Sequence, residues 1–388
     1  MASWEELPQE ILELIARRLD IEEFLAFGGV CTSWRSAATN DKYNAKSKAP
    51  WIMTYVCRQI AEFSRPSTGR IYPMRVPGSD AQTLSVPGWI LALRGDSDYR
   101  IFNPLSRVSI ELPALEKLHH ESRVSEELDR LKRPRHGPPM ISMMALSSSP
   151  SLSRSYTVMI SCITSPGLAF HRSGEDAWTV VSLATDLRRF TVLGLIYYDG
   201  LFVAVDAHGQ ILTLNERKHR MELRLVLGLS YVDGDPYLVE CLGSLLVAWM
   251  IWGEGDEPVK KIRVFEVDLE KGTEEEVKSL GNASLFLNNY SWFSVEFKPK
   301  SCLPGIKPNH IYFTDYTDRK KKSYSMNDGK VETYFESCLP GIKPNRICIS
   351  KYEDEKMKSY YMEDEKLKTY FDATSSHFNE AEWFQPDF

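Results

Sequence analysis

Apolar positions in the first forty residues recur at helical spacing; beyond residue 45 that period disappears and short runs of β type take over. In WEELPQEILELIARRLDIEEFLAFGGVCTSWRSAATND, Pro8 suits the first turn of a helix, where its missing N–H is no loss. Glu5 and Glu6 favour the positive end of that helix. The pattern predicts a helix from about Pro8 to Leu19 and a second over IEEFLAFG that ends at Gly28 and Gly29. A third, capped by Thr32 or Ser33, runs through Trp34. The apolar residues of the first helix, Ile11, Leu12, Leu14, Ile15, Ala16 and Leu19, form a band wider than the roughly 100° stripe that one packing surface requires. Three short helices bury too little to enclose it. The surplus face meets either another protein or the body of the same chain.

The later runs include WIMTYV, GRIYPMRVP, GWILALRG, YRIFNP, RVSIELP, YTVMISCI, GLAFHR, AWTVVSL, FTVLGLIYY, GLFVAVD, QILTLN, LLVAWMIW, IRVFEVD and EEVKSL. Several fall in hairpin couples around glycine, such as GLFVAVDAHGQILTLN. The most apolar stretch, YLVECLGSLLVAWMIWG at 237–253, holds a glutamate and two glycines and reads as two neighbouring buried strands rather than a membrane helix. So many short strands with almost no helix between them predict a mainly β architecture, either a large sandwich or a propeller. The propeller fits this length better, at six or seven blades of roughly 40–50 residues. No WD or double-glycine kelch signature recurs.

Two stretches interrupt the rhythm. Residues 114–155 are rich in charge, proline and serine and read as an inserted surface loop, with a short helix around Ser125 to Leu131. Within it, RLKRPRHGPP, with the basic run from Lys132 to Arg135, reads either as a nuclear localisation signal or as solvated loop surface. The second is a duplication: 301–336 aligns without a gap to 337–372, with 22 identities in 36 positions, and both copies open on SCLPGIKPN. Each copy reads as a turn, a strand, a charged bend and a hairpin. Asn327-Asp328-Gly329 supplies the tight turn in the first, whereas Glu365 stands in the glycine's place in the second. The second copy is expected to be a tolerated spare of the last-blade hairpin, after which EWFQPDF returns to complete the ring.

Charge and candidate chemistry narrow the function. A net charge of -6 argues against a broad nucleic-acid surface. Seven cysteines with no CxxC pair, and an acidic start without an apolar core, point to reduced thiols in an intracellular protein, cytoplasmic or nuclear. There is no GxSxG elbow, phosphate loop, HExxH or EF-hand loop. His119-His120-Glu121 lies in a polar loop where adjacent side chains rarely converge on one ion, and GEGDEP at 253–258 reads as an exposed bend. No catalytic residue, metal or cofactor is expected, and no nucleic-acid or membrane partner.

The string Leu7-Pro8, Glu10-Ile11, Ile15, Leu19, Phe24-Leu25, Val30-Cys31 and Trp34-Arg35 resembles the F-box, the module that ties receptors to Skp-type adaptors in cullin-RING ubiquitin ligases. The segments APWIMTYV, STGRIYPMRVP, GWILALRG, YRIFNPLSR, LPGIKPNHIYFTD and EWFQPDF resemble landmarks of a plant F-box family with a KIB-type β-propeller. The resemblance implies a three-helix F-box over 1–45 and a propeller over 46–388. It implies adaptor contacts, or the core directly beneath them, at Leu7, Pro8, Ile11, Ile15, Leu19, Val30, Cys31 and Trp34. It further implies a non-catalytic substrate-recognition subunit of an SCF-type E3 ligase that meets a Skp-type adaptor, through it a cullin, and an unknown target protein. A non-degradative interaction scaffold and a propeller enzyme or ligand sensor are the other readings.

Overall fold

The structure is a computed structural model. It describes Trp4 and residues 7–41, 50–75, 84–115, 141–181, 191–333, 351–372 and 382–385, apart from breaks of one to five residues within those ranges. Among the described residues, three helices, α1 (Gln9–Ala16), α2 (Ile21–Gly28) and α3 (Thr32–Asp41), precede 28 strands. α1 is a turn shorter than the Pro8–Leu19 expectation: Arg17 closes it, and the next residues turn back through bonds from Arg18 to Ile15 and from Leu19 to Ala16.

The strands form seven sheets. Blade one holds Trp51–Cys57, Ile60–Arg65 and Arg70–Arg75, with Glu382–Phe384 from the other end of the chain as its inner strand. Blade two holds Ser85–Val86, Trp89–Arg94, Asp98–Phe102 and Ser109–Glu111, and blade three Ile141–Leu146, Thr157–Cys162, Leu168–Arg172 and Thr179–Val180. Blade four comprises Val192–Tyr198, Leu201–Asp206, Gln210–Arg217 and Arg220–Gly228. Blade five comprises Asp235–Cys241, Ser244–Trp252, Val259–Asp268 and Thr273–Val277. Blade six is irregular: Ala283–Leu287 pairs antiparallel with Trp292–Glu296 on its inner side and parallel with His310–Thr314 on its outer side, before Lys321–Ser325 and Val331–Thr333.

Six hydrophobic clusters, one at each blade boundary, show that the ring closes. The boundary of blades one and two packs Trp51, Phe63 and Phe384 against Ile90 and Phe102. Blade six meets blade one where Ile52 packs on Phe286, Phe293 and Tyr312, with Phe286 and Tyr312 stacked at 4.9 Å. Within a central strand, successive side chains serve opposite neighbours: Phe202 and Ala204 pack toward blade three, Val203 and Val205 toward blade five. That division follows from the two-residue period of a strand. It also explains why these segments read as continuous apolar runs. The 237–253 stretch forms two antiparallel strands, as its sequence predicts, around Leu242-Gly243, with φ of 52° and 85°. The same left-handed pair at Asp199-Gly200 joins the first two strands of blade four. Such turns match the twist of a two-residue hairpin.

At Leu115 and over 141–146 the structure corrects the reading of 114–155 as a surface loop; residues 116–140 lie outside the described residues. Leu115 is buried, and Ile141–Leu146 is the inner strand of blade three, with Ile141, Met144 and Ala145 in its core. The serine-rich stretch after it is tied down: Ser149 accepts a hydrogen bond from the Trp89 indole at 3.0 Å, and the Ser106 and Ser151 hydroxyls are 2.9 Å apart. ISMMAL lacks β-branched residues after its first position and sits between proline and serine, so local propensity gives no strand signal there. The short helix near Ser125, the His119-His120-Glu121 group, the Lys132–Arg135 run and most of GEGDEP lie outside the described residues.

The first duplicated copy supplies the outer three strands of blade six. Its tight turn is built as the sequence predicts, with Gly329 at φ +68°. The second forms a separate three-stranded antiparallel sheet, Lys351–Glu353, Lys356–Tyr361 and Lys366–Asp372. The closing EWF pairs with Trp51–Met53 and completes the ring.

Candidate functional site: an apolar surface on the helices

α1 begins after Pro8, whose extended backbone (φ -53°, ψ 142°) aims its carbonyl at the amides of Ile11 (3.0 Å) and Leu12 (3.2 Å). From there the helical period sorts side chains by direction. Leu12 and Ala16, four apart, point into a small core with Phe24, Phe27, Ala37 and Ala38. Ile11 and Leu14, three apart, point outward and stay 42% and 49% exposed. Val30, just before α3, is 58% exposed, and Trp4 is 72% exposed. The Trp34 indole fixes the approach of the chain, donating to the Trp4 carbonyl at 3.1 Å while its ring lies 4.5 Å from Phe27. Arg35 holds the end of α2 through the Gly28 carbonyl at 3.2 Å.

The residues singled out from sequence divide in two. Pro8, Ile11 and Val30 face solvent. Leu7, Ile15, Leu19 and Trp34 are half-buried against the small core, and Cys31 is half-buried with a free thiol. They hold the outward residues in place more than they extend the surface. Trp4 and Leu14 were missed. Leu14 belongs to the apolar band, and its spacing from Ile11 was the available signal; Trp4 precedes the periodic segment and gave none.

Of the six large apolar side chains exposed among the described residues, four (Trp4, Ile11, Leu14 and Val30) belong to this unit of about 40 residues. A small helical module with an uncovered apolar face, placed ahead of a closed six-bladed ring, defines an F-box protein of the propeller type. The F-box domain model matches residues 4–46 and the KIB1-4 β-propeller model matches 63–335, and the chain belongs to that propeller family. Similar proteins include the Arabidopsis thaliana F-box/kelch-repeat protein At1g57790, 23% identical over 343 residues, covering 84% of this chain and 88% of the relative. Another is the Arabidopsis thaliana probable F-box protein At1g65740, 24% identical over 374 residues and covering 85% and 94%. Among solved structures, the β-propeller domain of Myceliophteria thermophila Cps50 (Swd1) is matched at a TM-score of 0.37 and 9% identity, over 83% of this chain and 96% of that one.

Proposed function

We propose that the protein is the substrate-recognition subunit of an SCF-type cullin-RING ubiquitin ligase. The helices dock on a Skp-type adaptor and through it a cullin, the propeller holds a target protein, and the protein works inside the cell, in cytoplasm or nucleus. The observation that carries the reading is the separation of roles on α1: Leu12 is sealed in the core while Ile11 and Leu14 remain uncovered beside Trp4 and Val30. Apolar side chains grouped on so small a module are what a partner interface requires. Such a receptor needs no bond-breaking residue of its own. Holding a target near an activated ubiquitin carrier raises the effective concentration of its lysines and makes the transfer nearly intramolecular.

The test is co-purification with a Skp-type adaptor. The wild-type chain is expected to retain the adaptor, and an Ile11→Glu, Val30→Glu double variant to lose it with an unchanged circular-dichroism spectrum. Retention by that variant would overturn the docking surface. Degradation is read separately, as accumulation of the recruited protein when this chain is removed from the cell.

A further inference from the structure

A cavity of about 240 Å³ lies in the channel of the ring, lined by the inner strands of blades two to six and by Gln385, just past the closing strand of blade one. Its position along the ring axis follows from the chain. Tyr197 lies just before the Asp199-Gly200 turn, Glu240 just before Leu242-Gly243, and Val86 just before Pro87-Gly88. Each of these turns joins an inner strand to the second strand of its blade, so the cavity sits at the end of the ring that carries them.

The accessible part of the wall is apolar. Val86, Met143, Leu146, Ile196, Tyr197 and Trp292 line it, and each is half-buried. The two rings are held from behind: Tyr197 meets Phe202 edge-on at 4.9 Å, and Trp292 meets Tyr237 edge-on at 5.6 Å. The polar side chains of the wall are engaged or sealed. Ser148 donates to the Ser155 carbonyl at 3.0 Å, Ser149 accepts from the Trp89 indole at 3.0 Å, and Gln385 donates to the Ser294 carbonyl at 3.5 Å. Ser85, Ser291 and Ser294 are buried, and Glu240, the one charged residue of the wall, has a partner of its own. A charged group entering here gives up hydration and gains no free counterpart. At the rim, the Tyr198 hydroxyl donates to the Gly243 carbonyl at 2.8 Å and fixes the turn on which Leu242 stands 54% exposed at φ 52°. Blade four has Asp199 at the matching place, at φ 48°, and aspartate accepts a left-handed backbone more readily than leucine does. Leu242 thus bears a backbone cost and an exposed apolar side chain together, and a partner that covers it recovers the burial.

We propose that the mouth of the propeller channel receives one aromatic side chain, phenylalanine or tryptophan, of the recruited protein, with Leu242 packing on the residues beside it. The entering ring finds aromatic faces in Tyr197 and Trp292 and the thioether of Met143 on the same wall. The volume is that of roughly eight water molecules, too small for a helix or a strand. It also falls below the ~300 Å³ at which pockets for small-molecule ligands begin, which favours a side chain over a free ligand. This rests on the receptor reading above and gives it a recognition face, the end of the ring bearing the Leu242-Gly243 turn, and an anchor chemistry.

The full-length chain is titrated with capped pentapeptides of sequence Ser-Ala-X-Ala-Ser, in which X is phenylalanine, alanine or lysine, and with toluene, and thermal stabilisation is followed. Ligand that binds only the folded state raises the melting temperature with concentration. The phenylalanine peptide is expected to bind at least about tenfold more tightly than the alanine and lysine peptides, the scale of burying much of one phenyl ring. It is expected to bind more tightly than toluene as well. Met143→Glu, which sets an unpaired carboxylate on the wall, is expected to abolish that preference. Leu242→Asn serves as the second variant should Met143→Glu fold poorly: asparagine suits the left-handed turn, so the free chain is expected to melt no lower than wild type while the phenylalanine peptide binds about threefold more weakly. Equal binding of the alanine or lysine peptide, undiminished binding by either folded variant, or no stabilisation by the phenylalanine peptide would overturn the aromatic site. Equal binding of toluene would overturn the side-chain assignment in favour of a free ligand, and a dimer of the free chain that Met143→Glu dissolves would assign the mouth to a second copy instead. Adaptor co-purification, measured on the same preparations, reports the F-box docking independently of all these outcomes.

Discussion

Lys322 places its Nζ 2.7 Å from Oδ2 of Asp315, a carboxylate whose side chain is wholly buried in blade six. The other carboxylate oxygen accepts from the Thr317 amide at 2.9 Å and the Thr317 hydroxyl at 2.6 Å, while the Val259 amide of blade five approaches Oδ2 at 3.4 Å. The pair thus fastens the outer strands of blade six to a neighbouring blade. Removing one partner strands a buried charge, which costs about 3–5 kcal/mol. Lys322→Ala is expected to lower the unfolding free energy by that amount, read as a lower urea midpoint with an unchanged m-value. Lys260 and Lys261, exposed on blade five, serve as alanine controls, expected within about 0.5 kcal/mol of wild type.

The same pair predicts an acid limb. Burial pushes the Asp315 carboxyl up, but the hydrogen bonds from Lys322 and Thr317 outweigh it and hold the group below its ordinary 3.8. A carboxyl with a lowered folded value stabilises the fold above its unfolded value, and that stability fades as pH falls from 3.8 through the folded value. At the surface, hydrogen bonds from Arg263 and Lys278 bring Glu276 down from 4.5 to about 2, a contribution that solvent screening cuts to about 1 kcal/mol or less. Salt separates the two. Denaturation between pH 5 and 2 in high salt is expected to lose the Glu276 part and keep the Asp315 part, and Asp315→Asn to flatten the remaining slope.

The pair also explains why the two duplicated copies are not interchangeable. Thirty-six residues on, Lys351 stands where Asp315 does and Lys358 where Lys322 does. Lys351 and Lys358 are partners in the register of the second copy's sheet, so like charges stand where the first copy has opposite ones. Tyr312, whose hydroxyl accepts from the Lys307 amide at 2.7 Å, becomes Cys348, and Asn327, bonded to Asn309 at 2.8 Å, becomes Glu363. Deleting 337–372 is expected to leave the melting temperature within about 2 °C of wild type. Deleting 301–336, which offers the second copy to the ring, is expected to give no cooperative transition. A milder version is Gly329→Glu, the residue of the second copy. It forces a side chain to φ +68° with its Cβ 3.3 Å from the Tyr324 hydroxyl, and is expected to cost about 1–2 kcal/mol.

What was legible in the sequence follows the reach of each interaction. The helices and most strands were visible because i,i+4 periodicity and β-branched runs are local signals. The closing role of EWF was visible once the architecture was taken as a ring. The inner strand at 141–146 was not, since its identity comes from the channel and the blades around it, not from ISMMAL itself. Nor was the order of blade six, where the parallel pairing of Leu285 with Ile311 spans a hairpin and a loop. On α1 the apolar band was plain, but choosing its outward members required knowing that Phe24, Phe27, Ala37 and Ala38 meet Leu12 rather than Ile11 or Leu14.

That geometry lets interface and core be separated on one turn of helix. Leu12→Ala opens a cavity in a core of six residues and is expected to cost about 2–5 kcal/mol, unfolding the helices before the propeller. Leu14→Glu places a charge on an already exposed position and is expected to change stability by less than about 0.5 kcal/mol. Adaptor affinity is expected to fall in both, but for different reasons. Circular dichroism at 222 nm loses amplitude only in Leu12→Ala, and adaptor added in excess restores it there by mass action, whereas it restores nothing in Leu14→Glu.

Ring closure rests on three residues from the far end of the chain. Trp51 pairs with Phe384, Ile52 with Trp383 and Met53 with Glu382, and the Gly88 amide of blade two donates to the Gln385 carbonyl at 2.9 Å. Phe384 is 1% exposed and meets Phe63 edge-on at 5.2 Å, in the cluster that joins blades one and two. Without this strand, blade one has an open inner edge and Trp51 loses part of its cover. An unpaired strand edge is a template for pairing with other chains. Phe384→Ala is expected to lower stability by about 3–5 kcal/mol. Truncation after residue 381 is expected to go further, shifting the protein to oligomers by size-exclusion chromatography. A synthetic peptide of residues 379–388 is expected to restore the monomer, because it supplies the missing pairing without covalent connection. A truncated chain that stays monomeric with an unchanged melting temperature would show that closure is carried by the inter-blade clusters alone.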